Sequence, residues 1–151
     1  MNNRKSLKLK FIVLGDKGIG KTTLIQNYIP STYSYKEIKN KYKFIKKMDS
    51  VPIKITIYEF SERNENVINK IKNCYCILIL FDIANRTSFE NLLDNWLLFL
   101  RDICHFKGLV IAFGKHFFHS NPLKTDEDEI KEMIKVSEVK CQFYNIGKNK
   151  T

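Results

Sequence analysis

Arginine is scarce in this chain. Four Arg (Arg4, Arg63, Arg86 and Arg101) stand against 22 Lys, although the net charge is +10 over 151 residues. Arg is the planar fork that reads bases and phosphates best, and Lys, Asn and Ile together are what an A/T-rich coding sequence favours. No nucleic-acid partner is therefore expected, and attraction to an acidic partner or a membrane surface fits the charge better. The densest cluster, YKEIKNKYKFIKK from Tyr35 to Lys47, reads as a solvated edge strand protected by its lysines. The same shortage of Arg argues against a nucleoside or nucleotide kinase, which surrounds the transferring phosphate with several.

Other absences narrow the class further. No apolar run approaches the ~18 residues of a membrane span. The start, MNNRKSLKLK, is basic but leads into a strand pattern rather than the apolar core of a signal peptide, so a cytoplasmic protein is expected. Cys74, Cys76, Cys104 and Cys141 form no C-x-x-C pair and read as buried free thiols. His116 and His119 share helical spacing, but no carboxylate or second cysteine lies near them, and no metal site is expected there. Glycine is also sparse, six in all, yet three of the six (Gly15, Gly18 and Gly20) fall together.

Around that cluster, strand and helix patterns alternate. LKLKFIVLG reads as a strand and KTTLIQNYI as a helix ended by Pro30. YKFIKKM and PIKITIYEF alternate polar with apolar residues around the turn signal DSVP, which makes a hairpin. NVINKIK is a short helix, and CYCILILFDI is a continuous apolar run, as a strand buried on both faces requires. SFENLLDNWLLFLRDI is a helix with Ser88 as its cap and Leu92, Trp96 and Phe99 on one face. GLVIAF, TDEDEIKEMIKVS and VKCQFYNI complete the chain as strand, helix and strand. The order predicts one α/β domain over residues 1–151, with helices on both faces of a mainly parallel six-stranded sheet and one antiparallel edge strand.

The glycines belong to GDKGIGKTT, which matches G-x-x-x-x-G-K-[ST] at a strand-to-helix junction. Successive backbone N–H groups can turn inward around an anion there, backed by the positive end of the following helix. Gly15, Asp16, Lys17, Gly18, Ile19, Gly20, Lys21, Thr22 and Thr23 are the expected phosphate-binding residues. Lys21 would reach the β- and γ-phosphates, and the Thr22 hydroxyl would ligate Mg²⁺.

With FIVLGDKGIGKTTLIQNY, the hairpin, and CILILFDIANRTSFENLLDNW in that order, the chain resembles the Ras superfamily of small GTPases, Rab-type members most closely. Ile19 and the aromatic FGKHFF give a weaker likeness to the septation-initiation (spindle-checkpoint) branch. The resemblance implies a P-loop fold of three α/β/α layers, GTP or GDP as ligand with Mg²⁺, and regulation of trafficking or the cell cycle. It aligns Glu59 with the metal-side Asp, acting on Mg²⁺ through a water, and Lys115 and Lys148 with base-side lysines. Arg63 aligns with the water-orienting Gln, and Lys17 offers a second cation beside the phosphates.

Several departures from the family pattern point to weak or absent GTP hydrolysis. No Thr occurs between Tyr35 and Ile55 to serve as the switch I threonine. D-x-x-G is EFSE, with Glu62 in place of Gly, and N-K-x-D is GKHF, with Phe117 in place of the guanine-binding Asp. Asp126 and Asp128 sit too far downstream to substitute and read as helix caps. The S-A-K loop aligns with Ile146–Lys148. The alternative is a pseudo-GTPase that binds a protein partner without nucleotide cycling. The family's final helix and a prenylation cysteine have no counterpart before Thr151, so a truncated chain or a partner-covered sheet face is expected. Val139, Cys141 and Phe143 alternate along the last strand and mark that face as apolar.

Overall fold

The computed structural model describes residues 6–29, 35–115 and 126–146. Its elements run β1 (Leu7–Gly15), α1 (Lys21–Tyr28), β2 (Tyr35–Ile38), β3 (Lys41–Met48), β4 (Val51–Phe60), α2 (Glu65–Ile71), β5 (Cys76–Asp82), α3 (Arg86–Asn91), β6 (Leu109–Lys115), α4 (Glu127–Val136) and β7 (Cys141–Asn145). One sheet contains every strand among the described residues, in the order β2-β3-β4-β1-β5-β6-β7. Pairing is parallel from β4 through β1, β5 and β6 to β7, and antiparallel for β2–β3 and β3–β4. Only β3 runs against the rest.

The mainly parallel three-layer architecture is the one expected, with one strand more than the six read from the sequence. The addition is the four-residue edge strand β2, which pairs Ile38 with Lys41 across a two-residue turn. Lys39 and Asn40 both have positive φ, 39° and 62°, as do Asp49 and Ser50, 49° and 65°, in the β3–β4 hairpin. Both are the tight turns whose twist matches that of paired strands. Neither contains the glycine that usually announces such a turn.

Helix α3 starts earlier than expected. Its cap is Asn85, whose side-chain oxygen accepts from the Ser88 N–H at 3.2 Å. Ser88 lies inside the first turn, buried, where its hydroxyl accepts from the Asp82 N–H at 2.8 Å. Beyond Asn91 the helix widens into π-type turns over Leu92–Leu97 and Phe99–Ile103.

Two apolar layers hold the sheet. On one face Ile12, Leu14, Ile77, Ile79 and Phe81 pack against Val67 and Ile71 of α2, Phe89 to Leu100 of the third helical segment, and Ile130 and Ile134 of α4. On the other, Val13, Ile55 and Ile57 pack with Tyr42, Phe44 and the α1 residue Ile25. No helix among the described residues is long and apolar enough to cross a membrane. All four cysteines are free. Burial pushes the Cys76 and Cys104 thiols up to about 11 and those of Cys74 and Cys141 to about 12.

The uncovered face is not the one expected. Val139, Cys141 and Phe143 pack against the α2–α3–α4 core, with the Phe143 ring centroid 6.0 Å from that of Phe81. Among the described residues the open apolar face lies opposite, beside α1, where Phe11, Leu78, Ile111 and Phe113 border a cavity of about 310 Å³ with Leu24 and Tyr28. Tyr28 is 58% exposed there. A folded 151-residue chain should therefore enhance the fluorescence of a hydrophobic dye, and Ile111→Lys should reduce that signal while the far-UV circular dichroism stays native. A native chain without dye signal would contradict this packing.

Candidate functional site

The C-terminal end of β1, central in the sheet, runs directly into the glycine cluster. Gly15 lies so close to β5 that a Cβ on it would sit 2.7 Å from the Leu80 carbonyl oxygen. Gly20, with φ 97°, precedes α1 in a left-handed conformation that L side chains rarely adopt. No side chain caps α1, so the N–H groups of its first turn are left facing the loop. These groups and the helix dipole make an anion site from backbone alone.

Lys21 is buried at the base of this loop, 6% exposed. Its ammonium donates to the Gly15 carbonyl at 2.9 Å and the Asp16 carbonyl at 2.8 Å. Desolvation lowers its pKa below the usual lysine value, against the opposing pull of the Glu59 and Asp16 carboxylates. An anion entering the loop would supply a counter-charge in place of the hydration that burial removes.

Glu59 closes the other side. It is the next-to-last residue of β4, beside Val13 of β1, and is itself buried. Its Oε1 accepts from the Thr22 hydroxyl at 2.7 Å and from the buried Tyr42 hydroxyl at 3.4 Å. Its Oε2 is buried without a hydrogen-bond partner among the described residues. Leaving such an oxygen dry and unpaired is costly. A hydroxyl and an orphaned carboxylate oxygen beside a phosphate loop are the hard donors that Mg²⁺ shares with phosphate. Thr22 and Glu59 therefore fit the ion. A cavity of about 460 Å³ opens at this point, bordered by Lys17, Gly18, Gly20, Asn40, Glu59 and Ser61 along with Lys21 and Thr22.

Asp16 is held from across the fold. Its carboxylate accepts from Asn91 Nδ2 at 2.9 Å and Trp96 Nε1 at 3.3 Å, and Asn95 Nδ2 donates to Asn91 at 3.0 Å. The π-type turn over Leu92–Leu97 follows Asn91 directly and contains Trp96, and both side chains reach the loop. Asn91, Trp96, Tyr42, Asn40 and Ser61 were not among the residues expected from the motifs. Only register and helix phase bring them here.

The remaining expected residues divide. Lys17 borders the cavity, and Ile19 donates its N–H to the Asp16 carbonyl at 3.2 Å, closing the loop. Thr23 is exposed in the first turn of α1. Arg63 is exposed and is not among the residues that border the cavity, and Glu62 accepts from Asn64 Nδ2 at 3.5 Å. Lys115 ends β6, where its carbonyl accepts from the Ile83 N–H at 3.0 Å. Phe117 and Lys148 lie outside the described residues, as do His116 and His119. At Gly114 a Cβ would lie 2.4 Å from Ile83 Cγ2 and 2.9 Å from the Phe143 ring. The Asn that opens the family's guanine motif could not simply be restored there. Asp126 precedes α4 without a side-chain capping bond.

A model of the Ras family matches residues 10–147. Ras-related protein RabV of Dictyostelium discoideum is 34% identical over 115 residues, which cover 65% of this chain and 45% of RabV. GTP-binding protein yptV5 of Volvox carteri is 28% identical over 103 residues, 64% of this chain and 50% of the relative. Ypt/Rab-type GTPase YPT7 of Saccharomyces cerevisiae is 30% identical over 100 residues, 61% and 48%. The chain spans about half the length of these curated relatives. With the phosphate loop, the sheet order and these matches in agreement, the chain belongs to the Ras family, as a Rab-like small GTPase.

Proposed function

We propose that this chain binds Mg²⁺–GTP and Mg²⁺–GDP in the Gly15–Thr23 loop and acts as a Rab-like regulator of trafficking with little or no GTP hydrolysis. The observation that carries this reading is the buried Lys21 ammonium, held on two loop carbonyls beneath an uncapped helix N-terminus. Lys21 meets the β- and γ-phosphates, the first turn of α1 receives the phosphate oxygens, and Thr22 and Glu59 hold the metal. When bound there, Mg²⁺ would supply positive charge against those oxygens. The names of the relatives, which include a GTP-binding protein and Ypt/Rab-type GTPases, support guanine nucleotide as the ligand class. Base selectivity is weak, because Gly114 offers no side chain and Phe117 no acceptor for the guanine edge.

The second reading is a pseudo-GTPase that engages a partner without cycling. It is favoured by the exposed Arg63 and by Glu62, which bonds only to Asn64 among the described residues. Neither aligns an attacking water, and Glu62 brings negative charge where the family has glycine. The two readings part over nucleotide.

Calorimetric titration with GTP, GDP and ATP in Mg²⁺ tests the first. Binding in the micromolar range is expected, with GTP and ATP within about tenfold of each other, and Lys21→Ala should abolish it. Unchanged affinity in that variant, or no binding by the native chain, would overturn the reading. Single-turnover hydrolysis of bound GTP should be no faster than the ~10⁻⁴ s⁻¹ of an unassisted small GTPase. A rate above ~10⁻³ s⁻¹ that disappears in Lys17→Ala would instead assign Lys17 a role in cis.

A further inference from the structure

The lysines that do not serve the phosphate loop are not spread evenly. Strand register places Lys10 beside Thr56 and Thr56 beside Lys43, while Lys41 lies beside Tyr58 and Lys8 beside Lys54. Alternation puts all of these on one face of β3, β4 and β1, opposite to the face that carries Glu59. Lys8, Lys10, Lys41 and Lys43 line a cavity of about 460 Å³ whose floor includes Thr56 and Tyr58. None of the lining residues is acidic. No lysine of this face has a carboxylate within ion-pair distance among the described residues, where the ion pairs all belong to Arg86 and Arg101.

Tyr58 concentrates the charge. The Lys41 amine lies 5.3 Å and the Lys70 amine 5.0 Å from its ring centroid. Burial would raise its phenol, but the hydrogen bond with Lys41 and the charges of Lys70, Lys41 and Lys10 outweigh burial and hold it below its usual value. A concavity walled by unneutralised ammonium groups on a rigid sheet is a site for a polyanion.

Geometry selects among polyanions. Lys8 and Lys10, and likewise Lys41 and Lys43, are two residues apart on their strands, a repeat of ~6.6 Å. Same-side residues of an extended peptide have that same repeat. Lys10 and Lys43 face each other across Thr56 of β4 at ~10 Å, twice the spacing between strands, with Lys8 and Lys41 offset toward opposite ends of the groove, which leaves room for one chain between the two rows. A bilayer is flat, whereas these amines line a hollow. Single strands are held by stacking successive bases on several open aromatic faces, whereas both amines contend for the Tyr58 ring and Tyr75 is the one other aromatic of the lining.

We propose that this lysine-walled groove docks an extended acidic segment of a partner protein, with Asp or Glu at alternate positions. Because the groove and the phosphate loop occupy opposite faces of β4, docking does not depend on the nucleotide reading.

The test is fluorescence anisotropy of a labelled peptide alternating Glu with Thr, and of its Gln–Thr counterpart, titrated with the full chain at low and at physiological salt. The Glu peptide should bind at both, the Gln peptide at neither. The double variant Lys8→Glu/Lys43→Glu, at two exposed positions, should weaken the Glu peptide more than about tenfold, with native circular dichroism. Lys131→Glu/Lys135→Glu on α4 makes the same charge change elsewhere and should leave binding within about twofold. Equal binding of both peptides, or equal losses in the two double variants, would overturn the groove. Anionic phosphatidylserine vesicles or polyuridylate binding more tightly than the Glu peptide, and losing that binding in Lys8→Glu/Lys43→Glu, would overturn the peptide assignment.

Discussion

Burial of the Lys21 ammonium is the constraint around which the site is organised. A buried lysine loses its hydration, and only fixed dipoles and nearby carboxylates can compensate. Here the Gly15 and Asp16 carbonyls accept its protons, while Glu59 and Asp16 supply the charge. Each demand shapes something else. The carbonyls point inward only because the loop turns sharply between Gly15 and Gly20. Glu59 can be buried nearby only because β4 pairs in parallel with β1 and delivers it beside Val13. Its own desolvation is relieved in part by Thr22 and Tyr42, and one oxygen is left over. A cation beside that unpaired oxygen would offset the cost of its burial.

The loop is also tied to the rest of the fold at Asp16. Its carboxylate receives N–H groups from Asn91 and Trp96, so the third helical segment is hydrogen-bonded directly to the phosphate loop. The hairpins have a comparable role on the other flank. The Lys39–Asn40 turn places the Asn40 carbonyl to accept from the Glu59 N–H at 2.9 Å, and Asn40 itself borders the cavity. The same β3–β4–β1 sheet presents its charged residues on the opposite face. One alternating strand, β4, thus borders both surfaces: Glu59 lies beside the glycine loop and Tyr58 in the lysine groove.

Much of this was legible in the sequence because it is local. The phosphate loop, the β3–β4 hairpin, the two buried parallel strands and the charged α4 each follow from residue type and spacing within a short window. What escaped depends on distant pairing. β2 is four residues long and its turn is Lys-Asn, where φ > 0 usually calls for glycine. Ser88 looked like a cap because it opens an apolar run, but Asn85 takes that place and Ser88 turns inward to Asp82. The covered side of β7 could not be read from alternation alone, since period two names two faces and only the register with β6 and the packing of α4 decide between them. Tyr42 and Glu59 are 17 residues apart, and Asp16 and Trp96 are 80. No motif spans those distances.

The central claim is that the Lys21 loop and the Thr22–Glu59 pair hold nucleotide and Mg²⁺ as one unit. It is tested most directly by the dissociation rate of a fluorescent GDP analogue, measured with Mg²⁺ and again after chelation, in the native chain and in Glu59→Gln. The account predicts that Mg²⁺ slows release from the native chain and that Glu59→Gln loses most of this effect while still binding the analogue. Release indifferent to Mg²⁺ in the native chain, or an effect undiminished in Glu59→Gln, would contradict it.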